Sequence, residues 1–329
     1  MPIQRRCHRH SPDGTGASMQ ASAARRRLAS PGLELALAIG LATAASAALA
    51  QPAAAGPVSM TASLTGIGQL DAGLDQGGTF SWNGVVVQGG VTRQFTPDFS
   101  AGLSLRYVYE DWQFDTPSAL GTVAPWGHLN RPAVGFRIAQ QITPQLGVFI
   151  APELEWSYES GASASDAKNF GAVFGATQYF SPTLVLGIGA GVFRQIDKTR
   201  VFPLLIVHWQ IDDQWRVGNP FQAGPAGGAG LELVRALGSQ WELAAGASVR
   251  DYRFRLRHDG PAPDGIGRNQ GVPVFARLTR QLGTQGHIDF YAGAVTGGKL
   301  RVLDSNGATL SSSDYRAAPL LAASATLSF

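Results

Sequence analysis

From Ala317 to Phe329 the chain alternates: Ala317, Pro319, Leu321, Ala323, Ala325, Leu327 and Phe329 share one parity, and Ser324, Thr326 and Ser328 share the other. Side chains along a strand point to opposite faces with a period of two, so this segment reads as a strand with one continuous apolar face. The same period recurs at unusual length. Val58, Met60, Ala62, Leu64, Leu70, Ala72 and Leu74 oppose Ser59, Thr61, Ser63, Thr65, Gln69 and Asp71. Ala101, Leu103, Leu105, Tyr107 and Tyr109 oppose Ser104, Arg106 and Glu110, while Val148, Ile150, Leu154, Trp156 and Tyr158 oppose Glu153, Glu155 and Glu159. Strands of globular proteins usually run about 3–10 residues. These segments have the length that a tilted strand needs to cross a bilayer.

The amino-terminal region fits an exported chain. Arg25, Arg26 and Arg27 precede an apolar run from Leu33 to Ala50 that closes on Ala48, Leu49 and Ala50. A basic flank, an apolar stretch and a small-residue exit make an export signal over residues 1–50, cleaved before Gln51. Met19, just ahead of the Arg cluster, is a more ordinary start than Met1. Residues 51–57 then form a short periplasmic lead, and 58–329 form a single domain. The first fifty residues hold six of the 26 Lys and Arg and two of the 23 Asp and Glu, leaving 20 against 21. The basic balance belongs to the signal and gives no argument for a nucleic-acid partner. The single cysteine, Cys7, also lies in the signal, so disulfides and thiol catalysis are not expected of the remainder. Beyond residue 50 no apolar run is long enough for a membrane-spanning helix.

Connections alternate as the side chains do. Short turns fall at Thr96-Pro97-Asp98, Thr143-Pro144-Gln145, Ser181-Pro182-Thr183, Asp212-Asp213-Gln214, Gly238-Ser239-Gln240 and Gly283-Thr284-Gln285, with longer polar or Gly-rich loops between them. This is the pattern of an all-β, transmembrane, antiparallel up-and-down β-barrel of about fourteen strands, or twelve if the eighth to tenth merge differently. The expected strands include 133–142, 201–211, 271–282 and 315–329, and the ninth, 215–220, is short. Aromatic residues near both sets of connections suggest two girdles, one with Phe95, Phe180, Trp209 and Phe290, the other with Tyr107, Trp112, Phe193, Phe202 and Phe254. Parity is expected to break at Gly84 and near Arg250 and Asp251, where bulges would sit.

The closing strand, with its terminal Phe329, resembles that of bacterial outer-membrane barrels, and the resemblance implies that Phe329 is an insertion signal read by the barrel-insertion machinery. The Thr-Pro and Ser-Pro turns, Pro125-Trp126, Arg253-Phe254-Arg255-Leu256 and Phe329 together resemble a family of outer-membrane barrels catalogued as a domain of unknown function. The resemblance implies fold, outer-membrane location and contact with outer-membrane lipid. It brings no substrate and no oligomeric state.

Function in such a chain falls to the inward face. Glu110, Glu153, Glu155 and Glu159 have inward parity on the third and fifth strands; Arg253, Arg255, Arg257, Lys299 and Arg301 have it on the eleventh and thirteenth, with Arg277 lower on the twelfth. Opposed acidic and basic walls would set a transverse field across a pore lining, suited to small polar or charged solutes. The alternatives are charges that only pair with neighbours, in a closed structural or partner-binding barrel acting through its outer loops, and a lipid hydrolase. His287 and Asp289, with Ser324 or Ser328, match a hydrolase triad in composition alone. No catalytic residue, cofactor or metal is assigned. Asp304, Asn306 and Asp314 lack the rest of a calcium loop.

Overall fold

The computed structural model describes residues 58–220 and 229–329. The expected signal and lead lie outside the described residues. The strands are β1 Val58–Gly73, β2 Thr79–Thr96, β3 Phe99–Asp115, β4 His128–Thr143, β5 Leu146–Trp156 continued by Tyr158–Glu159, β6 Lys168–Ser181, β7 Leu184–Gln195 and β8 Lys198–Gln210. They continue with β9 Trp215–Gly218, β10 Gly230–Ala236, β11 Trp241–Ser248 continued by Arg250–Arg255, β12 Ile266–Gln281, β13 Gly286–Leu303, and β14 Thr309–Tyr315 continued by Ala318–Ser328. Each wall strand runs antiparallel to the next. The ring of fourteen closes where β14 meets β1, from Thr61 opposite Ser328 to Gln69 opposite Leu320. Met60 and Phe329 exchange both backbone hydrogen bonds, at 2.9 and 2.8 Å, so the terminal residue is part of the closing seam.

One rim carries the short turns, and sequence explains their shape. Pro97 and Pro144 preset the backbone for a turn. Gln94, Gln141 and Gln210 each donate a side-chain hydrogen bond to the carbonyl two residues on, at 2.6, 2.8 and 2.6 Å. Asp212 Oδ1 accepts from the N–H groups of Gln214 and Trp215, both at 2.8 Å. Outside, the wall is apolar: Leu105 is 58% exposed, Ile188 73% and Val201 69%. Outward Phe95, Phe180, Trp209 and Phe290 band the turn rim, where Arg235 also lies over Trp215 at 5.3 Å and Arg280 over Trp241 at 5.5 Å. Aromatic rings with a cation beside them suit a boundary that is greasy on one side and wet on the other.

At the loop rim the strands run further than the sequence predicts. β4 starts at His128, β8 at Lys198, β12 at Ile266 and β14 at Thr309. The expected second girdle is only partly there. Tyr107 faces out, but Trp112 and Phe254 are buried inside, and Phe193 and Phe202 face the lumen. The expected break at Gly84 is absent, because Phe80, Trp82, Gly84 and Gln88 share one buried inner face. On β1 the parity instead changes after Gln69, turning Ala72 and Leu74 inward. The expected bulge near Arg250 is also absent: β11 keeps one register with β12 from Trp241 opposite Arg280 to Arg255 opposite Ile266.

The wall is uneven. β9 has four residues, and where it ends Asn219 caps the ladder. Its Oδ1 accepts from the Val207 N–H at 3.0 Å, and its Nδ2 donates to the carbonyls of Leu205 and Gly230, both at 2.9 Å. Beyond Ser248, β11 parts from β10 while staying paired with β12, and its end meets β5. Arg255 pairs in parallel with Tyr158 of β5, and the Arg255 N–H donates to the Ser157 carbonyl at 2.9 Å. The loop-rim half is thereby split into a smaller ring, from β11 through β14 and β1 to β5, and a side lane lined by β6, β7 and β8. Glu159 fixes the strap: its carboxylate accepts from the Gly127 N–H at 2.9 Å and the Arg257 N–H at 3.0 Å.

The strap is open to a covalent test. Adjacent parallel strands hold paired residues within the Cα separation that a disulfide spans. In a Cys7→Ser background, Arg255→Cys with Tyr158→Cys is expected to cross-link on mild oxidation, giving a reducible mobility shift on an unheated gel. Failure to cross-link in a folded barrel would mean that β11 follows the wall instead.

Candidate functional site

The smaller ring is dry. Phe80 stacks on Trp112 at 5.7 Å, Trp126 from the β3–β4 connection meets Trp112 edge-on at 5.6 Å and Phe254 at 5.1 Å, and Tyr315 meets Phe80 at 4.9 Å. Leu129, Leu256, Val295 and Leu300 complete the cluster. Pro125-Trp126 therefore belongs to an inward-folded connection that plugs the smaller ring.

Charges expected to line two opposite walls are distributed differently. Arg106 Nη2 donates to Glu153 Oε1 and Glu155 Oε2, both at 2.9 Å. Arg131 lies 3.6 Å from Glu110, whose Oε2 also accepts from the Trp112 indole N–H at 2.9 Å. Sequence reasoning left Arg106 and Arg131 out of the site, although Arg106 has the same parity as Glu110, four residues on. On the other side Arg253 pairs with Asp197 at the β7–β8 tip. Arg255 donates to the carbonyls of Asp166 and Asp264, at 3.2 and 2.6 Å. Arg257 Nε lies 3.9 Å from Glu159. These three arginines share the strap face opposite Phe254 and Leu256.

Lys299 and Arg301 do not face the lumen. Gly297, at φ +56°, makes a bulge that reverses the parity of β13, so Gly298, Leu300 and Val302 turn inward. Lys299 instead pairs with Asp314 across to β14 at 2.9 Å. A second charged group lies toward the turn rim. Arg277, fully buried, pairs with Glu232 and lies 3.4 Å from Asp289, whose Oδ1 also accepts from Thr279 Oγ1 at 2.6 Å. Arg216 and Glu242 form a two-pronged pair at 2.7 Å beside it. His287 lies 3.3 Å from Asp289 and Ser324 is the register partner of Asp289, but Ser324 Oγ accepts from Thr65 at 2.9 Å. Among the described residues no cluster of His, Cys, Asp or Glu is arranged to hold a metal.

Exposure inside the barrel is one-sided. Inner residues of β12, β13 and β14 are mostly buried, whereas the inner faces of β5 to β8 are largely half-exposed, with Glu153 at 36% and Phe202 at 37%. A small cavity of about 20 Å³, room for about one water, sits among Gln88, Ser104, Arg106 and Glu153. Half-exposed inner residues thus line β5 to β8, and the small cavity lies beside them over β2 to β5.

No family model matches the chain, and no curated protein matches it. Solved structures of similar shape include a channel, a transporter and a porin. One is an outer membrane channel from Pseudomonas putida F1, at 9% identity and a TM-score of 0.46, covering 85% of this chain and all of that one. Another is the P. putida toluene transporter TodX, at 10% identity and 0.38, covering 84% and 91%. A third is the KdgM porin, solved in complex with disordered oligogalacturonate, at 8% identity and 0.32, covering 80% and 98%.

Removing Arg277 would leave Glu232 and Asp289 buried without their cation. Arg277→Ala is expected to destabilise the barrel by roughly 3–5 kcal/mol, against roughly 0–1 for Lys299→Ala, read from urea unfolding in detergent. The loop between β11 and β12 gives a pH test. The hydrogen bond from His258 Nδ1 to Asp264 at 2.8 Å, with the charge of that carboxylate, raises the His258 pKa. Its tie to Asp264 is therefore complete below the ordinary histidine value and lost as pH rises through the higher, folded one. A proton NMR titration is expected to show a raised midpoint that Asp264→Asn returns toward about 6.5.

Proposed function

We propose that this barrel is a passive channel of the bacterial outer membrane for small polar or charged solutes. The observation that carries the reading is the half-exposed inner wall of β5 to β8 inside a closed ring with an apolar exterior. Fourteen strands enclose more width than side chains alone fill, so an inner wall left uncovered is space for water and solute. Outer-membrane lipid would cover the apolar belt. Phe329, set in the closing seam, would serve as the signal read by the insertion machinery. The channels of similar shape, one named for toluene and one solved with oligogalacturonate, are in keeping with passage of small solutes.

Selectivity in this reading depends on accessible charge. Glu153 and Glu155 border the open wall and together outweigh the Arg106 they share, whereas Glu110, Arg253 and Arg277 are buried in pairs. A second reading, a closed structural or partner-binding barrel acting through its loops, draws on the packed aromatic plug of the loop-rim half.

Single-channel recording on residues 51–329, refolded into a planar bilayer, separates the two. A steady conductance is expected, with a reversal potential under a salt gradient that moves toward anions in Glu153→Gln with Glu155→Gln and stays put in Lys299→Gln. A folded but silent barrel would establish the second reading.

A further inference from the structure

The inner wall of the lane is ordered by register. Glu153, Gly171, Phe193 and Arg200 form one row across β5 to β8, and Ala151, Val173, Gly191 and Phe202 form the next row toward the turn rim. Gly191 leaves a recess, and the Phe202 ring lies across it: a Cβ at Gly191 would come within 2.1 Å of Phe202 Cζ. Phe193 and Phe202 are close to parallel, at 15°, with centroids 6.0 Å apart. The two rings stack on each other as an aromatic shelf on the inner wall. Aromatic rings of the smaller ring are buried, whereas Phe202 on this wall is 37% exposed.

Polar groups border the shelf on the β5 side. Neighbouring strands lie about 4.8 Å apart, so Glu153 and Phe193, with only Gly171 between them, are about 10 Å apart at the backbone. Glu153 and Glu155 share one arginine, which leaves this border rich in acceptor oxygens and short of positive charge. At the head of the lane Asn169 is 7% exposed, and its Oδ1 has no hydrogen-bond partner among the described residues. On the far border Arg200 is held by Asp251 at 3.6 Å. An anion directed at the β5 border would meet two carboxylates against one arginine. A hydroxyl donates to such acceptors without bringing charge.

We infer that the Phe193–Phe202 shelf is a binding site for small ring-shaped solutes with hydroxyl donors along one edge, the ring face lying on Phe202 and the hydroxyls directed at Glu153. Parallel aromatic faces attract each other beyond the area they bury, and the glycine recess holds Phe202 flat so that its face is presented to the lumen. The inference deepens the channel reading by giving its open wall a solute class.

Catechol, with benzoate as a donor-poor anion of similar size, tests the inference by isothermal titration against the refolded chain in detergent. Catechol is expected to bind more tightly than benzoate, and Phe202→Leu, which keeps apolar volume but removes the flat face, is expected to weaken it roughly threefold to tenfold. Glu153→Gln is expected to narrow the preference for catechol over benzoate. Equal binding of the two probes, or unchanged catechol binding in a folded Phe202→Leu barrel, overturns the inference. Binding in a barrel that does not conduct keeps the shelf and removes the channel; conductance without catechol binding does the reverse.

Discussion

Everything in this molecule depends on one constraint: a strand in a hydrocarbon environment has nowhere but its neighbours to place its backbone hydrogen bonds. A ring satisfies that demand only if its first and last strands meet, and here they do so from Thr61 to Gln69 and through Phe329 itself. Where the ladder cannot continue, a side chain replaces it. Asn219 does this at the end of β9, serving a donor and an acceptor of β8 and an acceptor of β10 with one amide. The short turns follow the same logic, with Gln and Asp side chains taking up the backbone groups that the turn leaves over.

Closure creates the second problem, because a ring of this size is wider than its own side chains. The chain fills one part and leaves another. The β3–β4 connection brings Trp126 inward, β11 crosses to β5, and the aromatic cluster between them excludes water. Glu159 holds both intruding segments with one carboxylate, through the N–H groups of Gly127 and Arg257. Burial of a carboxylate is costly unless its oxygens are met, and two backbone donors meet them here. The β6–β8 wall receives no such filling, and its glycines lower it further.

The sequence carried the fold far better than the site. Strand period, turn chemistry and apolar face are local properties, so the fourteen strands and the short turns were legible from residue order. What parity could not carry was any event that resets it. Gly297 reverses β13 with a single inserted residue, and Lys299 and Arg301 change sides. Gly84, which looks like such a break, is only a small residue beside Trp82. The strap was equally hidden, because Arg253 and Phe254 alternate as any strand does, whether the strand stays in the wall or crosses the lumen. Phe193 and Phe202 read as girdle residues because their inward parity was not weighed against the glycines opposite them.

Charge shows most clearly why composition is a poor guide to a lumen. Ten groups of inward parity suggest a strong transverse field, yet a field is the sum over all partners, and partners lie on neighbouring strands far away in sequence. Glu110 is answered by Arg131, Arg253 by Asp197, and Arg277 by Glu232 and Asp289. A buried pair of this kind acts on a passing solute as a weak dipole, because its two charges nearly cancel beyond their own separation. Only groups that are both accessible and incompletely matched remain to influence what passes. Glu153 and Glu155, which share Arg106, and Arg200, whose Asp251 is bound more closely by Arg268, come nearest to both conditions, so the exposed charge along β5 to β8 rests with a few residues and not with the net charge of the barrel.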